Sequence, residues 1–194
     1  MTIFSLPDFT ALPLPDEEKK VLAKRSKELS LNKGDSVFRQ GEVNNELYLI
    51  RSGLVKLCYL SIDGKEFIKS FIPDGGMFGS LYSQLTGEGS TFSAVALEPL
   101  QLKSIPFSYF QELVTRYPAM QQLALSFFQQ LALKKEMREY EFLCLSANQR
   151  YEKYCQQQPD LVKRIKQADL ALYLGITPIA LSRMKHRSKT VTDK

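Results

Sequence analysis

The sequence predicts an α+β protein in three parts: an N-terminal antiparallel β-roll of jelly-roll type (residues 1–116), a long helix (117–147) and a C-terminal helix-turn-helix domain (148–194). Three observations predict it. From Leu29 to Ile105, short runs rich in Val, Ile, Leu, Phe and Tyr are cut at ~8 to 12 residue intervals by turn signals, which is the texture of a sandwich or roll. From Ala119 to about Leu145 a helical run is apolar on more than one face in its first half and charged in its second (KKEMREYE). From Gln167 to Arg187, apolar Leu170, Leu174, Ile176, Leu181 and Met184 flank one glycine corner, Gly175, with small Ala171 where two crossing helices would touch.

Taken in order, Met1 to Pro15 holds three prolines and no long period, so an irregular arm laid over the surface is expected. Asp16 to Glu28 opens with acids and continues in helix formers, as the helix dipole prefers. Within the roll, Asp63-Gly64 between LVKLCYLSI and KEFIKSFI is the clearest hairpin, its residues suiting a type I′ turn. Pro106 to Arg116 reads as a short helix, and Asn148 to Gln158 as another that Pro159-Asp160 ends. About ten residues of connector then reach the motif.

A long helix apolar on several sides must be covered on several sides, and one roll covers only one. A second copy is the simplest cover, giving a symmetric homodimer whose seam is the stripe Met120, Leu123, Phe127 and Leu131. Burial against the chain's own C-terminal domain is the alternative.

In the motif, Gly175 ends one helix by a positive φ, Thr177 caps the next, and Pro178 suits its first position, where no N–H is needed. Ile179, Ser182, Arg183 and His186 then share one outward face. Lys185, Arg187 and Lys189 follow without an acid between Thr177 and Lys189. This is a candidate face for double-stranded DNA. Arg183 would fork onto a guanine edge, Ile179 and Ser182 would line the groove, and Lys185, His186, Arg187 and Lys189 would meet phosphates. An αα-corner that merely packs is the bland alternative.

Charge placement favours the DNA reading. The 194 residues carry a formal net charge of +5, but residues 148–194 hold 10 Lys plus Arg against 4 Asp plus Glu, whereas residues 1–147 hold 16 against 17. A basic end on a near-neutral body is the electrostatic footprint of nucleic-acid binding. No basic leader precedes an apolar run and no stretch approaches the ~18 residues of a membrane span, so a cytoplasmic protein with no membrane partner is expected. Cys58, Cys144 and Cys155 form no pair with metal-ligand or disulfide spacing, and the single histidine, His186, sits in the basic tail. No catalytic, metal or cofactor constellation is therefore expected, and the chain does not read as an enzyme.

The order of roll, long helix and small basic helix-turn-helix resembles the Crp/Fnr family of bacterial transcription regulators, in its branch with a small DNA-binding domain. The resemblance is carried by KGDSVFRQGEVNNELYLIRSGLVKLCY, ANQRYEKYCQQQPDLV and LALYLGITPIALSRMK. It implies a homodimer on inverted-repeat promoter sites, contact with RNA polymerase, and an effector in the roll near Gly79, Ser80, Thr91 and Phe92. Cyclic-AMP-binding members place a Glu where Ser80 stands and an Arg near Thr91, yet no Arg lies between Arg51 and Arg116. Cyclic AMP is therefore not the expected effector, and an unidentified one or an empty scaffold remains. Cysteine clusters of iron–sulfur members and roll ligands of haem members are missing. Ile179 stands where the family often has Glu, which implies a different base preference. A roll that senses an effector and acts through protein contacts, without DNA, is the alternative.

Overall fold

The computed structural model describes Leu6 and residues 8–192, with side chains as far as Lys185. The N-terminal arm does more than cover a surface. Asp8 caps a 3-10 turn over Phe9–Ala11, accepting from the Thr10 N–H at 3.0 Å, and the arm sinks Leu6, Phe9, Leu12 and Leu14 into a cluster with Leu22, Leu113 and Met120. Alternating apolar residues in a proline-rich stretch are enough to pin an otherwise irregular segment to a core. Helix α1 (Asp16–Arg25) stops three residues short of expectation, because Lys27–Leu31 pairs in register with Leu100–Ser104 and becomes strand β1. Edge pairing overrides helix propensity here.

The roll then runs β2 (Ser36–Phe38), β3 (Glu46–Ser52), β4 (Val55–Leu60), β5 (Glu66–Ile72), β6 (Met77–Phe78), β7 (Ser93–Ala96) and β8 (Leu100–Pro106). Two four-stranded antiparallel sheets result, ordered β1-β8-β3-β6 and β2-β7-β4-β5. Their facing sides bury Phe38, Ile50, Val55, Leu57, Phe92 and Leu102 between them. The β4–β5 hairpin forms as expected, but its turn is not type I′. Gly64 alone has positive φ, at 80°, its N–H reaches Ser61 O at 2.9 Å and Ser61 N–H reaches Lys65 O at 2.9 Å. This is a three-residue loop closed by a glycine bulge, which Asp63 satisfies without a left-handed backbone.

A helix the sequence did not announce, α2 (Leu81–Thr86), interrupts the roll between β6 and β7. After it come α3 (Phe107–Arg116) and α4 (Pro118–Cys144), the long helix, with proline in its first turn. Helix α5 (Ala147–Gln157) starts in a reciprocal capping box between Ser146 and Gln149. The expected connector is helical too: Pro159 opens α6 (Pro159–Arg164) instead of only closing α5. Helices α7 (Gln167–Leu174) and α8 (Pro178–Thr192) form the motif.

The C-terminal helices share an apolar cluster with the roll: Leu161, Ile165, Leu170, Ala171 and Leu174 pack with Leu54, Cys58, Ile68 and Phe71 of the second sheet. Polar ties reinforce this contact. Lys56 meets Asp169 at 3.3 Å and Glu66 at 2.7 Å, and Arg164 forks onto Glu98 while also reaching Asp74.

Docking changes the reading of α4. The stripe expected at a dimer seam faces its own chain: Met120 is 0% exposed, Leu123 and Phe127 pack on the N-terminal cluster, and Leu131 lines a cavity bounded by the roll and α5–α7. Within the chain Met120 is enclosed, whereas Leu123, Phe127 and Leu131 are only part-buried against the roll and the C-terminal domain. The exposed large apolar side chains of α4 are Leu125, Leu133, Tyr140, Phe142 and Leu143, of which Leu133 also lines the cavity beside Leu131. Leu125 and Leu143 are 59% and 77% exposed and stand eighteen residues, five helical turns, apart on one line.

Candidate nucleic-acid interface

The reading helix is set by its corner. Gly175 takes φ 70°, its N–H reaches Leu172 O at 3.3 Å, and Ile176 N–H reaches Ala171 O at 3.0 Å, the paired bonds of a Schellman stop. A Cβ at Gly175 would stand 2.8 Å from the Phe142 ring, so close packing as well as φ requires glycine. Thr177 Oγ1 accepts from the Ala180 N–H at 3.2 Å, the expected cap. Leu181 is fully buried against α7, which fixes the helix's rotation.

That rotation leaves Ile179, Ser182 and Arg183 exposed within one arc of the helix, with Ile179 66% exposed, Thr177 exposed at the cap and Lys185 half-buried. Side chains of His186, Arg187 and Lys189 lie outside the described residues, although α8 continues through them. Arginines unremarked in the sequence hold the unit in place. Arg150 donates to Leu145 O at 2.6 Å and Leu174 O at 3.1 Å, closing the carbonyl ends of α4 and α7, where a cation suits the helix dipole. Arg138 donates to Ile68 O at 3.0 Å and Tyr173 O at 3.1 Å.

The wall expected to meet an effector is packed with the protein's own groups. Ser80 is fully buried and serves as the cap of α2, accepting from the Ser83 N–H at 3.4 Å. Gly79 has no room for a side chain, since a Cβ there would meet Gln84 at 2.6 Å and Glu46 O at 3.0 Å. Phe92 is a core residue, and Thr91 is exposed beside it. Rings fill the interior: Phe38 lies 5.9 Å from Tyr48 and 5.5 Å from Phe92, and Tyr48 lies 5.1 Å from Phe78. Ser80 and Phe92 therefore serve the fold, one as a cap and the other as core.

The positive charge that the arginine count denies the roll is supplied by Lys69. Leu57 pairs with Ser70 and Cys58 with Ile68, which leaves Lys69 as the extra residue of a β-bulge. Its ammonium stands 3.7 Å from the Phe92 ring centre and 5.8 Å from that of Tyr59. Burial, with Lys135 nearby, holds it down at about 8. A lysine inside the apolar run EFIKSFI was the available sign; the bulge that aims it was not legible.

No helix among the described residues is long and apolar enough to cross a membrane, and no group of three metal-ligating side chains occurs among them. The family model for the cyclic nucleotide-binding domain matches residues 28–117. The global nitrogen regulator of Synechococcus elongatus is 31% identical over 107 residues, 54% of this chain and 48% of that protein. An anaerobic regulatory protein of Haemophilus influenzae is 26% identical over 168 residues, 81% of this chain and 65% of that protein. The chain thus spans less than two thirds of the length of these relatives. FixK2 of Bradyrhizobium japonicum superposes with a TM-score of 0.76 at 17% identity, covering 86% of each chain, a likeness of fold. Residues 28–117 thus match a cyclic nucleotide-binding domain, and the chain as a whole is similar in sequence and in fold to regulators of the Crp/Fnr type.

Proposed function

We propose that the protein is a DNA-binding transcription regulator that acts as a homodimer on inverted-repeat sites in the cytoplasm. The observation that supports the reading is the exposed face of Ile179, Ser182 and Arg183, with Thr177 at its cap, on a helix whose rotation is fixed by Leu181 and whose start is fixed by Gly175. An exposed isoleucine beside an arginine at the start of a helix suits a thymine methyl next to a guanine. Two such helices, held about 34 Å apart by paired long helices, would read both halves of an inverted repeat. The outward face of α4, with Leu125, Tyr140 and Leu143, is where the second copy would pair. RNA polymerase is the further partner this role requires.

The roll acts in this reading as a scaffold that positions α4 and the reading domain. Cyclic AMP is not its effector, since Ser80 is turned inward as a cap and four rings occupy the interior. Selecting genomic DNA fragments on the purified chain, followed by mobility-shift titration, tests the proposal. Enrichment of a shared two-fold sequence is expected; retention of all fragments alike, or of none, would overturn it.

A further inference from the structure

A cavity of about 350 Å³ lies where the roll, α4 and the C-terminal helices meet, and Gly79, Ser80, Thr91 and Phe92 take no part in lining it. Its volume falls within the ~300–1,000 Å³ typical of small-molecule sites. Ile72 and Met77 of the roll, Phe127, Leu131 and Met137 of α4 and Leu161 of α6 give it an apolar body.

Its charged groups are Lys134, Arg138 and Glu141, and Ser70, Gln130, Gln157 and Gln158 are among its neutral polar ones. Gln130, Lys134 and Arg138 stand four residues apart on α4, so they follow one another along one face. Arg138 gives Nη2 to both Ile68 O and Tyr173 O and lies over the Tyr173 ring at 4.0 Å. Lys134 has only a neutral partner, donating to Ser70 Oγ at 3.0 Å, and no carboxylate reaches it among the described residues. Three donors on an ammonium, one of them used, leave two to place. Burial and the neighbouring Arg138 both disfavour its charge. One turn away, Gln130 Oε1 is buried with no hydrogen-bond partner. Glu141, the one acid on the wall, is taken by Lys153 at 2.9 Å. An apolar chamber with one under-partnered ammonium and one orphan acceptor lacks an anion and a donor.

We infer that this cavity binds an amphipathic monocarboxylate, its carboxylate on Lys134 beside Ser70 and its apolar chain or ring among Met77, Phe127, Leu131 and Leu161. A polyphosphate does not suit it, because Lys134 and a guanidinium already donating to two carbonyls cannot meet several charges in an apolar chamber. Such a ligand would touch all three parts of the chain at once and hold the reading domain against the roll. Binding itself does not depend on the DNA reading; the effect on DNA rests on it.

Calorimetric titration of the full-length chain, without DNA, with decanoate and with decanol tests the inference. Decanoate should bind saturably and decanol at least tenfold more weakly, the difference a charge-assisted hydrogen bond gives. Lys134→Met should lose about tenfold or more for decanoate and gain none for decanol. Leu131→Trp should abolish both by filling the chamber, with circular dichroism confirming that each variant is folded. Equal affinity for the two ligands, unchanged decanoate affinity in Lys134→Met, or no binding at millimolar decanoate would overturn the inference. So would cross-linking that places a second copy's helix in the cavity. A DNA titration run separately distinguishes failure here from failure of the regulator reading.

Discussion

Arg164 is the hinge pin between the reading domain and the roll, and its removal has a calculable cost. Its guanidinium donates to Glu98 through Nε at 3.1 Å and Nη2 at 2.7 Å, to Gly53 O at 3.0 Å and to Asp74 at 2.9 Å. Asp74 is half exposed, so that arm is worth little, about 0 to 1 kcal/mol. The fork onto Glu98 and the Gly53 carbonyl is shielded, with both charged side chains under one-third exposed. Each charge-assisted bond is worth ~1.5 to 3 kcal/mol, of which side-chain ordering and solvent screening remove a good part. Arg164→Ala should therefore cost about 2 kcal/mol, lowering Tm by ~4 to 8 °C for a chain of this size. A double-mutant cycle with Glu98→Ala should return a coupling of about 1 kcal/mol. Arg164→Lys should recover less than half, since an ammonium cannot fork. Hydrogen exchange should quicken in α7 and leave β3 and β8 protected. A cost under ~0.5 kcal/mol, or faster exchange in the roll with none in α7, would show that the apolar cluster alone holds the domains together.

Other outcomes follow from the same coordinates. Arg183→Ala should cost ~1 to 3 kcal/mol at the cognate site and relax preference at one position per half-site, whereas Lys185→Ala should weaken all sequences alike, as mobility shifts on cognate and random DNA will show. Leu125→Glu should place a charge on each side of the proposed pair of long helices and cost several kcal/mol. Sedimentation should then give a folded monomer, while Leu131→Glu should disturb the chain's own packing instead. For Lys69, the unfolded side chain holds its proton to about 10.5 and the folded one to about 8, so the unfolded state binds more protons between those values and stability gains with rising pH. Lys69→Met should accordingly be the more stable protein at pH 7, with its Tm advantage shrinking between pH 8 and 10.5. Cyclic AMP should show no saturable micromolar binding to wild type; binding that Lys69→Met abolishes would show that Lys69 replaces the missing arginine.

Features read correctly from the sequence were those in which local chemistry and tertiary need agree. Gly175, Thr177 and Pro178 each have one conformational task, and the structure gives each that task because nothing distant competes for it. The alternation of the roll survives because a one-residue slip would turn Leu57 and Ile50 to water. Lys27–Leu31 shows the opposite case. Its local preference is for extending α1, and only the neighbouring Leu100–Ser104 segment, remote in sequence, makes it a strand. Helix α2 was hidden for a related reason: six residues are too few to show a period, and only the cap at Ser80 and the stop at Gly87 define it.

The face of α4 is the deeper case, because its pattern shows apolar sides without naming the neighbour that covers each. A helix apolar on several sides states that several covers exist and not which cover meets which side. Met120, Leu123, Phe127 and Leu131 are the more regular stripe and so invited the symmetric partner. Their spacing is equally satisfied by the roll and α5–α7, which the chain supplies at high effective concentration and with no loss of translational freedom. An intramolecular cover should therefore take the better stripe, leaving a second copy the poorer one, where Leu125, Tyr140 and Leu143 alternate with Gln121, Gln129, Glu136 and Glu139. A seam so diluted with polar groups holds two chains less tightly than the apolar stripe would have done. In the proposed regulator, dimerisation, and with it the reading of a two-fold site, would then lie within a range that protein concentration or DNA itself can shift.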